Sequence, residues 1–249
     1  MALIHSLEKN GNFLFKYRGQ IPILLFLCSI PVVLSTDYHF LRFNSKLELI
    51  LLICCVLISF LGQSIRAIAI GTSNKHTSGR NTKEQVAEAL NTKGIYSTVR
   101  HPLYLGNYFM WLGIVLYTFS FWFAIAFSLF FWIYYERIMF AEERFLERKF
   151  GDDYLNWSLK IPPFIPSFKN YEKTNIPFSM KTILRREYSG VTATIIGFLF
   201  VAVLRNWNIN QTFIFETKHI LILIVALLIS LFLRSLKHYT KLLHEEDRS

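Results

Sequence analysis

Long apolar runs alternate with polar segments along the chain, at Ile21 to Thr36, Leu47 to about Ile65, Leu103 to Tyr135, Val191 to Leu204 and Ile220 to Leu233. A helix needs about 20 apolar residues to cross a bilayer. The last two runs fall short of that and are expected to be extended by neighbours such as Tyr188 and Phe213 to Phe215. The run from Leu103 to Tyr135 carries no charge, and at about 1.5 Å per residue its reach of about 50 Å is too long for one crossing. It predicts a helical hairpin turning near Thr118 to Ser120.

Charge placement favours the hairpin, because cytoplasmic loops collect Lys and Arg. With two helices in 103–135, segments 1–20, 66–102, 136–190 and 234–249 share one side and hold 23 of the 27 Lys and Arg. A single span there would reverse the bias. The predicted fold is therefore all-α: a polytopic transmembrane helical bundle of about six spans in one membrane domain, 1–249, with both termini cytoplasmic. Lys16 and Arg18 precede the first run as in a signal peptide, but no A-x-A-like site follows Val33, so that run is expected to be a retained span.

Composition agrees. A content of 53% hydrophobic and 16% aromatic residues, with mean hydropathy +0.34, is too apolar for an ordinary soluble domain. The net charge of +10 is distributed between apolar runs and forms no continuous basic domain, which points to anionic lipid headgroups and away from nucleic acid. Cys28, Cys54 and Cys55 lie inside apolar runs without metal-ligand spacing and are expected to be small hydrophobes, with no disulfide framework and no metal site. Four prolines, Pro162, Pro163, Pro166 and Pro177, mark 161–178 as an irregular surface connection. Thr82 and Gln85 have capping-box spacing and predict a short amphipathic helix stopping at Gly94.

Two polar clusters on the same predicted face carry candidate chemistry. In the first, Pro102 suits the opening turn of a helix and disfavours helical geometry at His101, so Arg100 and His101 sit at a helix N-terminus. Free N–H groups and the helix dipole there attract an anion, and Arg100 would reinforce them. Tyr96 and Tyr104 offer aromatic faces to a base or a sulfonium, and Gly106 permits close approach of a ligand or a helix. The second cluster continues from the fourth span as an amphipathic helix over Glu136 to Phe150, with Gly151 as its stop. Adjacent Glu142 and Glu143 point about 100° apart, so one can face a ligand amine or ribose while the other braces a basic neighbour.

Together these features resemble the superfamily of isoprenylcysteine carboxyl methyltransferases and phospholipid methyltransferases. The resemblance rests on Gly94, Tyr96, Arg100-His101-Pro102, Tyr104, Gly106, Glu142-Glu143, Phe150-Gly151, Tyr154 and Phe164-Ile165-Pro166, and covers about residues 60–168. It implies a methyltransferase core there, followed by an extra C-terminal pair of spans in 179–249. It implies S-adenosylmethionine as cofactor, bound by Tyr96, Arg100, His101, Pro102, Tyr104, Gly106, Glu142 and Glu143, with a lipid or lipid-linked acceptor arriving from the bilayer.

Methyl transfer from a sulfonium is a displacement that needs alignment more than acid–base power. An ionised oxygen needs no base, whereas an amine must first lose a proton. Arg66, Lys75, His76, Arg80, Lys83, Arg137, Arg185 and Arg186 suit an anionic acceptor. Arg66, Arg80, Arg185 and Arg186 are candidate substrate contacts, and Arg100 and Arg137 are candidates for orienting the acceptor. With the insert Gly71 to Thr82, the pattern resembles a bacterial branch of lipid A phosphate methyltransferases, which implies a lipid phosphate acceptor and a bacterial inner or cell membrane. The alternatives are an amine headgroup such as phosphatidylethanolamine, a prenylated carboxylate, or a scaffold without catalysis. Transport is disfavoured, since the spans are nearly free of charge.

Overall fold

The computed structural model describes residues 2–38, 45–73, 85–211 and 216–245. Among them the regular structure is helical. The α-helices are α1 (Leu3–Tyr17), α2 (Ile21–Ser35), α3 (Ser45–Gly71), α4 (Pro102–Leu116), α5 (Phe121–Phe150), α6 (Asp152–Ser158), α7 (Met180–Asn210) and α8 (Thr217–Tyr239). The uncharged run folds as the expected hairpin: α4 ends at Leu116, and Ser120 opens α5 by accepting a hydrogen bond from the Phe123 amide. The two short C-terminal runs lie within helices of 31 and 23 residues. Phe213 to Phe215 lie outside the described residues.

Among the described residues four helices, α3, α5, α7 and α8, are long and apolar enough to cross a membrane. The expected six spans are not all reached. Helix α4 has 15 residues and rises about 22 Å, short of a hydrocarbon core about 30 Å thick. Helices α1 and α2 bend by 67° at their junction and make a fifth span only if counted as one. The apolar faces look outward: just 6% of the most apolar stretch of α8 is buried, leaving Leu221, Leu228 and Phe232 exposed. Lipid can cover such a surface, and the helical backbone satisfies its own polar groups there.

Two features differ from the sequence expectation. Residues 85–93 form no helix, and Gly94, rather than stopping one, opens a single 3-10 turn at φ +64°, donating its N–H to Glu172 O. Thr82 itself lies outside the described residues. As the sequence predicts, residues 136–150 continue α5 without a break, and Gly151 ends it at φ +54°. Helix α1, for which the hydrophobic runs gave no sign, lies antiparallel along this part of α5: Glu8 pairs with Arg148 at 2.6 Å, and Tyr134 Oη donates to Leu14 O at 2.8 Å.

Small residues and one buried ion pair fasten the bundle. Gly62 of α3 faces Gly106 of α4 so closely that a Cβ on Gly62 would run into the Gly106 carbonyl and the Met110 amide. Close approach at small residues is how apolar helices gain contact where lipid competes for the same surface. Arg66 of α3 donates from Nε and Nη2 to the two carboxylate oxygens of Glu187 on α7, both at 2.7 Å, and from Nη1 to Asn107 Oδ1 of α4 at 2.6 Å. Gln63 Nε2 adds a bond to Glu187 at 2.8 Å. At the opposite end, Arg205 of α7 is buried among the rings of Tyr38, Tyr117 and Phe119 and pairs with Glu48 at 2.8 Å.

Gly62→Val should therefore cost about 1–3 kcal/mol by overpacking, while Gly19→Ala, with open space around its Cβ, should leave stability within about 0.5 kcal/mol. Thermal melts in detergent read both. Glu187→Ala strands the Arg66 guanidinium and should cost about 3–5 kcal/mol, whereas Arg66→Met combined with Glu187→Leu should cost less than Glu187→Ala alone. A double variant no more stable than Glu187→Ala would contradict the pairing.

Candidate functional site

The site begins at the start of α4. Pro102 occupies the first helical position, and His101 before it takes φ −118°, ψ 63°, outside the helical region as expected ahead of a proline. The Pro-rich segment fixes this loop. Arg100 N–H donates to Pro162 O at 2.9 Å and His101 N–H to Pro163 O at 3.2 Å, while Ser167 N–H donates back to Thr98 O at 2.9 Å. Ser97 Oγ accepts from the Glu172 amide at 2.9 Å. Pro162, Pro163 and Pro166 keep this stretch out of α-helix and thus leave carbonyls free for the loop that presents Arg100 and His101, before a single 3-10 turn at Phe168–Asn170.

Helix α5 brings the double glutamate to the same place. Glu143 Oε2 accepts from Arg100 Nη1 at 3.1 Å, and Glu143 Oε1 lies 2.8 Å from His101 Nε2. A carboxylate can only accept, so the Nε2 proton is the donor. Glu142 Oε2 stands 3.6 Å from His101 Nδ1, on the other side of the ring. The imidazole is 6% exposed and stacks on Tyr104, with ring centroids 5.7 Å apart. Tyr104 in turn rests on Tyr135 at 4.9 Å.

These groups border a cleft of about 1270 Å³, open mouth included, closed on one side by Phe15 and Arg18 from the α1 end of the chain. Tyr96, Arg100, His101, Pro102, Tyr104 and Glu142, all singled out by the sequence, line it. Glu143 stands behind the lining and holds Arg100 and His101. Arg66 and Arg186 also reach the cleft wall. Gly106 does not; it packs against Gly62 and Arg66. Neither do Arg137, whose carbonyl meets Gly11 of α1, and Arg185, which is buried elsewhere. Arg80, Lys75, His76 and Lys83 lie outside the described residues.

The sequence reading passed over several lining residues. Glu187 appears only as one acid in a helix until folding pairs it with Arg66, 121 positions away. Asn107, Trp157 and the segment from Gln85 to Asn91 also line the cleft. Trp157 follows Tyr154 by one helical turn, a spacing that could have flagged it, and the two rings are 5.8 Å apart.

The donor set fits an adenosyl amino acid. Trp157 Nε1 and Arg100 Nε are buried with no hydrogen-bond partner among the described residues, which leaves two donors for acceptor atoms of a ligand. Glu142 offers a carboxylate to hydroxyls or an ammonium, and Tyr104 and Trp157 offer ring faces. Burial, reinforced by Glu142, pushes the Tyr96 phenol well above its usual range, so it remains a neutral donor at ordinary pH. Burial and the nearby Glu143 do the same for Tyr154. No group of His, Cys, Asp and Glu among the described residues could hold a metal ion.

Comparison with known proteins gives the same picture. Residues 50–153 fit the profile of the phospholipid methyltransferase family, a segment that contains both clusters. The Protein-S-isoprenylcysteine O-methyltransferase of Schizosaccharomyces pombe is 36% identical over 110 residues, which is 43% of this chain and 45% of that protein. The protein of the same name from Saccharomyces cerevisiae is 27% identical over 172 residues, 66% of this chain and 68% of that one. The first alignment thus takes in less than half of its relative's length, and no solved structure matches the chain. The Arg-His-Pro loop and the double-glutamate helix meet at one cleft, and over the matched segment that carries them the chain is similar to integral-membrane phospholipid and isoprenylcysteine carboxyl methyltransferases.

Proposed function

We propose that the chain is an S-adenosylmethionine-dependent methyltransferase that esterifies the carboxylate of a prenyl-thioether acceptor delivered from the bilayer. The observation that carries this reading is the contact of His101 and Arg100 with Glu143 beside Glu142, which joins the two halves of the matched segment at one cleft wall. The name shared by the two yeast relatives supports the acceptor.

S-adenosylmethionine, when bound, supplies a methyl group on a cationic sulfur that an oxygen nucleophile can displace. The chain's own groups position the reactants. Tyr104 and Trp157 offer faces to the base or the sulfonium, Glu142 accepts from the ribose or the ammonium, and the unpartnered N–H groups of Arg100 and Trp157 meet acceptor atoms. A carboxylate is already ionised at neutral pH, so no general base is required. Alignment and exclusion of water do the rest, and Val86, Leu90, Phe145 and Leu146 supply the apolar part of the wall.

A lipid phosphate, the acceptor that the sequence pattern favoured, has less behind it. Two of the cleft's arginines are committed to carboxylates, Arg66 to Glu187 and Arg100 to Glu143, and both yeast relatives are named for an isoprenylcysteine acceptor. Arg18 and Arg186 also line the cleft and add to the positive charge of its wall. The Lys and Arg bias places the cleft on the cytoplasmic side in this proposal.

Purified protein in nanodiscs, given S-adenosylmethionine and an amine-blocked S-farnesylcysteine, should form the methyl ester and should leave the corresponding amide unmodified. Methylation confined to lipid A or to phosphatidylethanolamine, offered in parallel, would overturn the acceptor. Glu143→Ala and His101→Ala, each shown to be folded, should weaken cofactor binding at least about tenfold by isothermal titration, since the first strips Arg100 of its carboxylate and the second removes the ring that stacks on Tyr104 and bridges Glu142 and Glu143 in the cleft wall. Retention of binding in both would remove the cleft from the reaction.

A further inference from the structure

A second cavity lies end to end with the cleft along the same two helices. The cleft uses Arg66 and Ile70 of α3 with Arg186 and Glu187 of α7. One turn further along each helix, Gln63 and Val191 begin another space, of about 1250 Å³ with its open side included. Helix α8 packs mainly on α7, and the space between α8 and α3 remains as a trough open to the bilayer. Its walls are mostly hydrocarbon, from residues such as Leu52, Phe198 and Ile222, with Lys218 and His219 also on the lining. An apolar hollow facing lipid is filled by a chain, because an empty one forfeits its dispersion contacts.

The wall between the two spaces is thin and polar. Gln63 lines the trough, Glu187 lines the cleft, and one hydrogen bond of 2.8 Å joins them. Gln63 Oε1 is buried there without a partner among the described residues, so the inner end of a largely apolar trough holds an unpaired acceptor. Gln63 can turn away without loosening Glu187, because Arg66 supplies two further bonds to that carboxylate. From Gln63 to Leu49 at the far end, the trough follows α3 for about 21 Å. That suits one extended chain with its head at the cleft wall.

We propose that the trough between α3, α7 and α8 binds the hydrocarbon chain of the methyl acceptor, with the reactive end at the Gln63–Glu187 wall and the tail running toward Leu49. The inference deepens the function proposed above and rests on it. Helices α7 and α8 lie outside the segment 50–153 that matches the family profile, so chain preference would be set in part by helices beyond that segment.

The test fills the trough from its lipid-exposed rim, where folding tolerates bulk. Val56 and Val191 line the trough and are 45% and 40% exposed; Leu228, 60% exposed, lies on α8 away from it. Acceptors bearing one or three isoprene units on the same cysteine carboxylate are compared. In Val56→Trp and Val191→Trp, the advantage in kcat/KM of the longer acceptor over the shorter should fall by about tenfold or more. The loss should appear in KM, with the dissociation constant of S-adenosylmethionine unmoved, and Leu228→Trp should keep the wild-type preference. Unchanged preference in both trough variants would overturn the proposal. So would a phospholipid that co-purifies with wild type and is lost from those variants while the preference stays intact. If no acceptor is methylated at all, binding of radiolabelled S-farnesylcysteine separates the two ideas. Loss of binding in the trough variants alone keeps the trough and removes the reaction, whereas equal binding in all three variants overturns the trough.

Discussion

One carboxylate organises the polar end of this molecule. Glu143, far along a helix that begins among lipid-facing aromatics, accepts from Arg100 and His101, 43 and 42 positions earlier in the chain. Charged groups next to a membrane core are costly unless paired, and this pairing draws the start of α4 onto the end of α5. The hairpin makes the meeting possible by returning α5 to the level at which α4 began. Pro102 and the carbonyls of Pro162 and Pro163 then hold the loop in the one conformation that lets both donors reach the carboxylate. The cleft is the space left between that clamp, the α1 end of the chain and the Arg66–Glu187 pair.

Most of the helical plan was legible in the sequence because bilayer thickness converts run length into span number. The uncharged stretch from Leu103 to Tyr135 could only be a hairpin, and it turns where Thr118 to Ser120 suggested. The reckoning fails where a helix is neither long nor uniformly apolar. Helix α4 stops after 15 residues, and α1, with Asn10, Gly11 and Asn12 in its middle, gives no run to count. The capping-box signal at Thr82 was a local one, and the chain from Gln85 to Asn91 follows the cleft rim instead of closing a helix. Local propensity is a weak prior when tertiary contacts compete with it.

The candidate site was legible to the extent that it is local. Arg100, His101 and Pro102 announce a helix start, and adjacent glutamates on a helix announce two directions of charge. What a linear pattern cannot show is which distant group answers each. Arg66 was marked as a substrate contact because it is basic; its guanidinium is spent on Glu187. Gly106, marked for the cofactor, is needed for backbone contact with Gly62. Arg137 and Arg185 carry the right charge on the wrong helix faces to line the cleft. Trp157 and Asn107 carry no charge to draw attention, yet each lines the cleft, and the buried Trp157 N–H has no hydrogen-bond partner among the described residues.

The most direct measurement is a structure determined with S-adenosylhomocysteine bound. The adenosyl group should lie between Tyr104 and Trp157, with its polar atoms at Glu142, Trp157 Nε1 and the Arg100 guanidinium, and His101 still held by Glu143. Density for the ligand anywhere outside this cleft, or His101 and Glu143 opening onto different faces of the membrane, would contradict it.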